Sequence, residues 1–321
     1  MKIFYGNGIG VQIKKSLTLL DPKVADFISF VSHAHGDHVP DSIITKPFLS
    51  PETLDLIKVT DPFFEGNAVK RKVIFDDFEV HLLDAGHILG SKQIYLEADG
   101  MSLLYSGDIK LKNSFTANPI EIKHADVLIT ETTYGYPGYK LPDQELVREV
   151  FVRWVKKNLK EGYKVEIGAY QVGKSQEAIK ILNEEGIIPK VTSTIKRFCD
   201  VYKKHGVRLE YFSGNEKADV TIKPMSFVIR NAGKRNIKAC VLTGWAEFKD
   251  LRVPGFPLSD HADFYQLLEY VRLVNPKIVY CTHGYSEEFC KEVKRRLGIR
   301  AEVLRNSAVQ TNLNIYTSSF I

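Results

Sequence analysis

Three histidines and an aspartate fall within six residues at His33-Ala34-His35-Gly36-Asp37-His38, directly after the apolar run Phe27-Ile28-Ser29-Phe30-Val31. The run has the length and the aromatic and β-branched content of a buried strand. Imidazole and carboxylate together form the ligand set of zinc and its first-row neighbours. His33 and His35 stand two apart, so an extended backbone points both to one side. Gly36 is free to take a positive φ and turn the chain, bringing Asp37 and His38 to the same region from another direction. One such motif cannot close a metal site, so other stretches must supply ligands.

The same pattern recurs along the chain: an apolar strand ends in an acid or an imidazole. Phe78-Glu79-Val80-His81-Leu82-Leu83 alternates like a strand and is followed by His87, while His81 in mid-strand reads as structural. A hairpin about Asp99-Gly100 ends in Ser106-Gly107-Asp108, and a carboxylate there has two oxygens with which to bridge two metals. Asp126-Val127-Leu128-Ile129-Thr130 runs into Glu131, and Lys277-Ile278-Val279-Tyr280-Cys281-Thr282 into His283. Groups carried at strand ends of a rigid sheet suit metal geometry. Asp21, twelve residues before His33, reads either as a turn former or as a group holding a ligand histidine from behind.

The remaining chain is read for organisation. At 321 residues it exceeds the size at which one core stops growing, so two domains, or one domain with an insertion, are expected. Residues 1 to 20 read as a hairpin and residues 41 to 72 as small helices and loops. After Pro142-Asp143 comes a helix whose apolar face is taken as Leu146, Val150 and Trp154 with Phe151 and Val155, leaving Arg148, Arg153, Lys156 and Lys157 as a solvated face. Tyr163 to Tyr170 reads as a strand, and Gly173-Lys174-Ser175 opens the next helix. A glycine, a lysine and free N–H groups at a helix start favour an anion. The spacing is not that of an NTPase loop, and a nucleic-acid phosphate is the better guest. Residues 190 to 240, with Lys196-Arg197, Lys203-Lys204 and Lys234-Arg235, are the expected cap over the site and contact for a phosphate backbone. Ser259-Asp260-His261-Ala262-Asp263 opens the helix that follows Pro254-Gly255-Phe256-Pro257.

A net charge of +5 permits a polyanionic partner without demanding one. The four cysteines form no CxxC pair, which fits a reduced, intracellular protein, and Cys281 and Cys290 read as buried fillers. No charged-then-apolar leader and no 18-residue apolar run is seen, so the expected location is cytoplasmic, without a membrane partner.

His33, His35, Asp37 and His38 in an HxHxDH motif, then His87 and Asp108, resemble the metallo-β-lactamase superfamily. Glu131 in Glu-Thr-Thr-Tyr-Gly, His261 in Ser-Asp-His-Ala-Asp and His283 in Thr-His-Gly resemble the three later motifs of its metallo-β-CASP nuclease branch. The resemblance covers nearly the whole chain. It is nearest to the short mRNA 3′-end processing factors and the ligase-associated DNA exonucleases.

The fold this implies is α/β, a four-layer αβ/βα sandwich with an inserted β-CASP cap. The metallo-β-lactamase domain would occupy 1–150 and 256–321, and the cap 151–255. The resemblance implies two divalent metal ions, zinc first and manganese as the alternative, sharing a hydroxide that attacks phosphorus. His33, His35 and His87 would hold one ion, Asp37, His38 and His283 the second, and Asp108 would bridge them. His261 would protonate the leaving oxygen, with Glu131 orienting it, and Asp37 and Asp108 belong to the same catalytic set. Gly173, Lys174 and Ser175 resemble the family's terminal-phosphate pocket, and Asp21 and Asp84 would support ligands from behind.

The implied function is hydrolysis of phosphodiester bonds in RNA or single-stranded DNA, of the 3′-end processing or exonuclease type. A homodimer or processing and repair proteins are the further partners. Histidine at the last motif leans toward RNA; branch members acting on DNA crosslinks and ends carry valine there. A small-molecule hydrolase of thioesters, lactones or lactams, and a silent nucleic-acid-binding subunit, are the alternatives. The first needs neither the cap nor the His261–Glu131 pair, and the second would have lost ligands.

Overall fold

A computed structural model of the chain describes residues 1–233, 235–305 and the backbone of 311–312. Lys234 and the end of the 256–321 segment, beyond Arg305 apart from that backbone, lie outside the described residues. The helices in chain order are α1 (Pro51–Ile57), α2 (Gln144–Lys160), α3 (Lys174–Asn183), α4 (Ser193–Lys204), α5 (Met225–Arg230), α6 (Phe264–Val274) and α7 (Ser286–Leu297). With three larger sheets they make an α/β architecture.

The first sheet runs in the order Thr311–Asn312, Lys2–Gly6, Gly8–Ile13, Ser16–Leu20, Ile28–Phe30, Phe48–Leu49, Asn67–Ala68. Residues 1 to 20 are therefore a three-stranded meander rather than one hairpin. The second sheet runs Arg300–Val303, Ile278–Thr282, Val127–Glu131, Met101–Tyr105, Lys92–Ala98, Glu79–Asp84, Lys72–Ile74. The two face each other through one apolar layer, with Ile9, Val11, Leu20 and Phe30 packed with Leu82, Ile94, Leu103 and Ile129. Alternation along each strand sends the opposite face outward. In the second sheet that face, through Leu104, Leu128 and Val279, packs on Leu267, Val271 and Val293 of α6 and α7.

The strands ending at Asp84, Tyr105, Glu131 and Thr282 all point one way, because the first two flank one antiparallel partner and the last three are mutually parallel. Four groups with metal or acid chemistry thus arrive at one sheet edge.

A third, all-parallel sheet lies within residues 164–256, in the order Lys190–Val191, Val220–Pro224, Lys164–Ala169, Ile237–Leu242, Gly255–Phe256. Its core is shared with α2, α3 and α4. Here two expectations fail. In α2 the expected Phe151 and Val155 are buried, joined by Gln144, Val147, Val152 and Asn158, while Leu146 and Val150 are exposed. Its polar ends are tolerable because they are bonded: Gln144 accepts from Ser259 N–H (2.8 Å) and Asn158 donates to the Trp154 carbonyl (2.8 Å). Arg148 is not solvated either; its guanidinium lies on Glu177 (3.0 Å) and over the Phe115 ring (4.2 Å).

Several basic residues of α4 also have internal work. Lys196 pairs with Asp200 (2.7 Å), Arg197 donates to the Val59 carbonyl (2.9 Å) and Lys204 pairs with Asp55 (2.7 Å). The last two tie α4 to the segment around α1. No helix among the described residues is long and apolar enough to cross a membrane.

Candidate metal centre and acid–base pair

His33 and His35 follow the strand Ile28–Phe30. Between them and His38 the chain makes a tight turn closed by His38 N–H on the His35 carbonyl (3.0 Å). Gly36 does not take a positive φ; the turn forms without it. Three ring nitrogens converge: His35 Nδ1 lies 3.0 Å from both His33 Nε2 and His87 Nε2. Asp108 Oδ2 stands 3.5 Å from His33 Nε2 and 3.7 Å from His87 Nε2. Ligand atoms of all four residues lie within 4.8 Å of one another. Tetrahedral zinc with Zn–N bonds of about 2.0–2.1 Å places its ligand atoms roughly 3.3 Å apart, so this set fits a cation.

The far side of each ring supports that reading. His87 Nδ1–H donates to the Asp260 carbonyl (2.8 Å), which leaves the Nε2 lone pair facing the cluster. His33 Nδ1 lies 3.0 Å from Ser32 Oγ. Burial, with neighbouring imidazoles, holds His33 and His87 well below the ordinary histidine range, and His35 at about 4. All three are neutral donors at pH 7.

The second group is looser. His38 is buried; its Nδ1–H donates to Asp21 Oδ2 (2.7 Å), and its Nε2 faces Asp108 Oδ1 (3.6 Å) and Asp37 Oδ2 (3.7 Å). Burial opposes the charged form of His38, but the Asp108 and Asp21 carboxylates outweigh it and raise it to about 10. A proton and a cation answer the same carboxylates. His283 sits at the rim, its ring 5.5 Å from that of His38. It holds a left-handed φ of 55°, its carbonyl accepting from Thr132 Oγ1 and Ser286 Oγ. The next residue must be glycine: at φ 67°, a Cβ on Gly284 would meet the Thr132 carbonyl at 2.2 Å. The two oxygens of Asp108 thus face the two groups separately.

His261 precedes α6, where Asp263 caps the helix by accepting from Gln266 N–H (2.9 Å). Its Nδ1 lies 3.1 and 3.3 Å from the Glu131 oxygens, and its Nε2 4.0 Å from Asp108 Oδ2. Burial disfavours its charge, yet Glu131 and Asp108 raise it to about 9. Glu131, fully buried, would be pushed up by burial, but His261 holds it below its ordinary value. A protonated imidazole therefore points at the ligand cluster. His261 lines, with His35, His38, Asp108 and His283, a cavity of about 410 Å³ that also includes Tyr134, Tyr170, Lys174 and Trp245.

Asp21 stands behind the candidate ligand His38, accepting from it, from Ser32 and from Tyr105. Asp84 does not: its carboxylate takes Lys92 and Asn118. The N–H and hydroxyl of Ser175 both go to the Tyr170 carbonyl (3.1 and 2.6 Å), and the Lys174 ammonium lies on Asp260 (2.9 Å). Gly173, with φ 83° and Ile88 against its Cα face, fixes that turn. Of the three, Lys174 alone brings its charge to the cavity. Sequence reasoning passed over Asp260, which holds both His87 and Lys174; its place beside His261 in the same motif was the available signal.

The strand-end ligands and the charged imidazole define the class: a candidate binuclear metal centre with its own acid, on an α/β scaffold. No family model matches the chain. It is similar to a probable DNA ligase of Opitutus terrae, 32% identical over 288 residues that cover 84% of this chain and 28% of the ligase. It is similar also to an RNase J-like protein of Methanocaldococcus jannaschii, 32% identical over 189 residues, or 51% of this chain and 45% of that protein. The chain thus spans less than half the length of either relative. Its fold is similar to that of a protein of unknown function from Enterococcus faecalis V583, with a TM-score of 0.68 at 12% identity, covering 97% of this chain and 99% of that one. The chain belongs to the metallo-β-lactamase superfamily, in its metallo-β-CASP nuclease branch.

Proposed function

We propose that the protein is a two-metal nuclease that hydrolyses phosphodiester bonds of RNA or single-stranded DNA. The carrying observation is the Glu131–His261 pair, aimed at the carboxylate that faces both ligand groups. In this reading His33, His35 and His87 would hold one divalent cation, Asp37, His38 and His283 the other, and Asp108 would serve both. Zinc is the expected metal, since imidazole and carboxylate in a tetrahedral spacing suit it. When bound, the pair supplies Lewis acidity toward a phosphoryl oxygen and a water acidic enough to ionise at neutral pH.

The chain's own work is then proton management and placement. His261 holds a proton at Nε2 at pH 7 and delivers it to the leaving oxygen as the P–O bond breaks. Glu131 accepts from Nδ1–H, which fixes the ring and keeps it charged. Asp21 and the Asp260 carbonyl hold His38 and His87 so that each turns its Nε2 toward Asp108. Lys174 remains the candidate contact for a terminal phosphate, with Asp260 as its resident partner. The architecture is read as a four-layer sandwich over 1–150 and 256–321, with 151–255 as the β-CASP cap. RNA 3′-end processing or exonuclease action is the finer assignment.

The test is incubation of the purified protein, with Zn²⁺ or Mn²⁺, with end-labelled single-stranded RNA and DNA bearing 5′-phosphate or 5′-hydroxyl, and with a chromogenic lactam and ester. Shortened strands and an intact lactam are expected. Turnover of the lactam or ester with intact strands would overturn the reading.

A further inference from the structure

We propose that the cavity beside Tyr170 is a nucleobase subsite, which takes the base of a nucleotide adjoining the scissile phosphate, stacked on the Tyr170 ring. This rests on the nuclease reading and adds where a base of the substrate goes. A second cavity, of about 380 Å³, opens next to the metal-ligand cavity and shares His35, Gly36 and Tyr170 with it. Its size lies in the range of pockets that take small molecules. Its apolar lining comes from two parts of the chain: Val39 and Ile57 from the first part, Val172 and Phe198 from the part that bears the third sheet.

Charge decides which end of a nucleotide fits. The charged side chains on the wall outside the shared histidine are Asp41 and Asp61, both exposed. Two carboxylates repel a phosphate and accept from the amino groups on a base edge. The neighbouring cavity differs: Lys174 and His261 stand there among Asp37, Asp108 and Asp260, and the cations those carboxylates and histidines would hold suit it to the phosphate. A nucleotide laid across the shared residues puts each of its ends in the matching environment.

Tyr170 is 49% exposed, so its ring has a face to offer. Its backbone is nonetheless fixed, since its carbonyl takes both the N–H and the hydroxyl of Ser175. A ring on a fixed backbone, between the two cavities, can stack any base.

The test uses single-stranded RNA and DNA oligonucleotides with one abasic nucleotide walked along the strand. Binding is measured by fluorescence anisotropy with metal-loaded His261→Ala protein, read before its slowed cleavage shortens the strands, and cleavage with the wild type. One position is expected at which loss of the base weakens binding about tenfold and raises KM more than it lowers kcat. That sensitivity should vanish with Tyr170→Ala and persist with Tyr170→Phe. No sensitive position, or one that survives Tyr170→Ala, overturns the subsite. Base-sensitive binding with no cleavage would sink the nuclease reading and leave the subsite standing; cleavage indifferent to every base would do the reverse.

Discussion

The buried half of the proposed ligand set, His33, His35 and His87, and the open half, Asp37, His38 and His283, are assembled to different degrees by folding itself. In the first, three ring nitrogens and an Asp108 oxygen already lie within 4.8 Å of one another. His33 and His87 have no appreciable solvent contact, and the second nitrogen of each has a neighbour behind it. In the second, only His38 is buried and braced; the Asp37 side chain is 76% exposed and His283 stands at the rim. A preassembled set binds without ordering its own side chains. The open set must immobilise two, at about 0.5–1.5 kcal/mol each. The difference separates a buried, scaffold-held group from a solvent-facing one, the side on which the proposed substrate would arrive.

Asp108 is the one side chain common to both halves, so its loss should have the largest effect. Asp108→Asn is expected to lower metal content at both positions and to reduce phosphodiester cleavage by at least about a thousandfold. Elemental analysis beside an activity assay checks this. Full metal content with lost activity would mean that the halves are not joined through this carboxylate. His261→Ala tests the boundary of the ligand set: metal content should stay intact while the rate falls roughly a hundredfold or more. Loss of a cation would instead move His261 into the ligand set. Asp37→Ala should remove the open-half cation alone, and chelator titration of the wild type should release the two ions in two separated steps. Release in a single step would erase the distinction between the halves.

Strand-end chemistry was legible in the sequence because it depends on local order: a β run followed at once by His33, His87, Asp108, Glu131 or His283 needs no knowledge of tertiary contacts. The same holds for α6, though it starts at Phe264, after the stretch read as its opening, with Asp263 as its cap. What could not be read was which charges meet across long separations. Arg148 and Glu177 are 29 residues apart, and Asp260 reaches Lys174 and His87 from far along the chain. The apolar face of α2 was misread for a related reason. Its buried stripe includes Gln144 and Asn158, which are tolerable only because of hydrogen bonds, one of them to a residue more than a hundred positions away. Likewise Gly36 turns the chain without a positive φ, so glycine content alone misled.

Asp21 offers the finest test, because it reaches the two halves unequally. Its Oδ2 takes His38 Nδ1–H directly (2.7 Å), whereas it reaches His33 only through Ser32, whose hydroxyl lies 2.6 Å from Asp21 and 3.0 Å from His33 Nδ1. It holds a φ of 44°, a conformation asparagine also tolerates, so Asp21→Asn changes charge and hydrogen bonding with little backbone penalty. Loss of such a partner behind a ligand histidine weakens metal binding about 10- to 100-fold. The open-half cation should therefore bind about tenfold more weakly, and the buried-half cation less than about threefold, in competition with a chromogenic chelator. Equal weakening at both would show that Asp21 braces the whole cluster through Ser32, and that the two halves share one support.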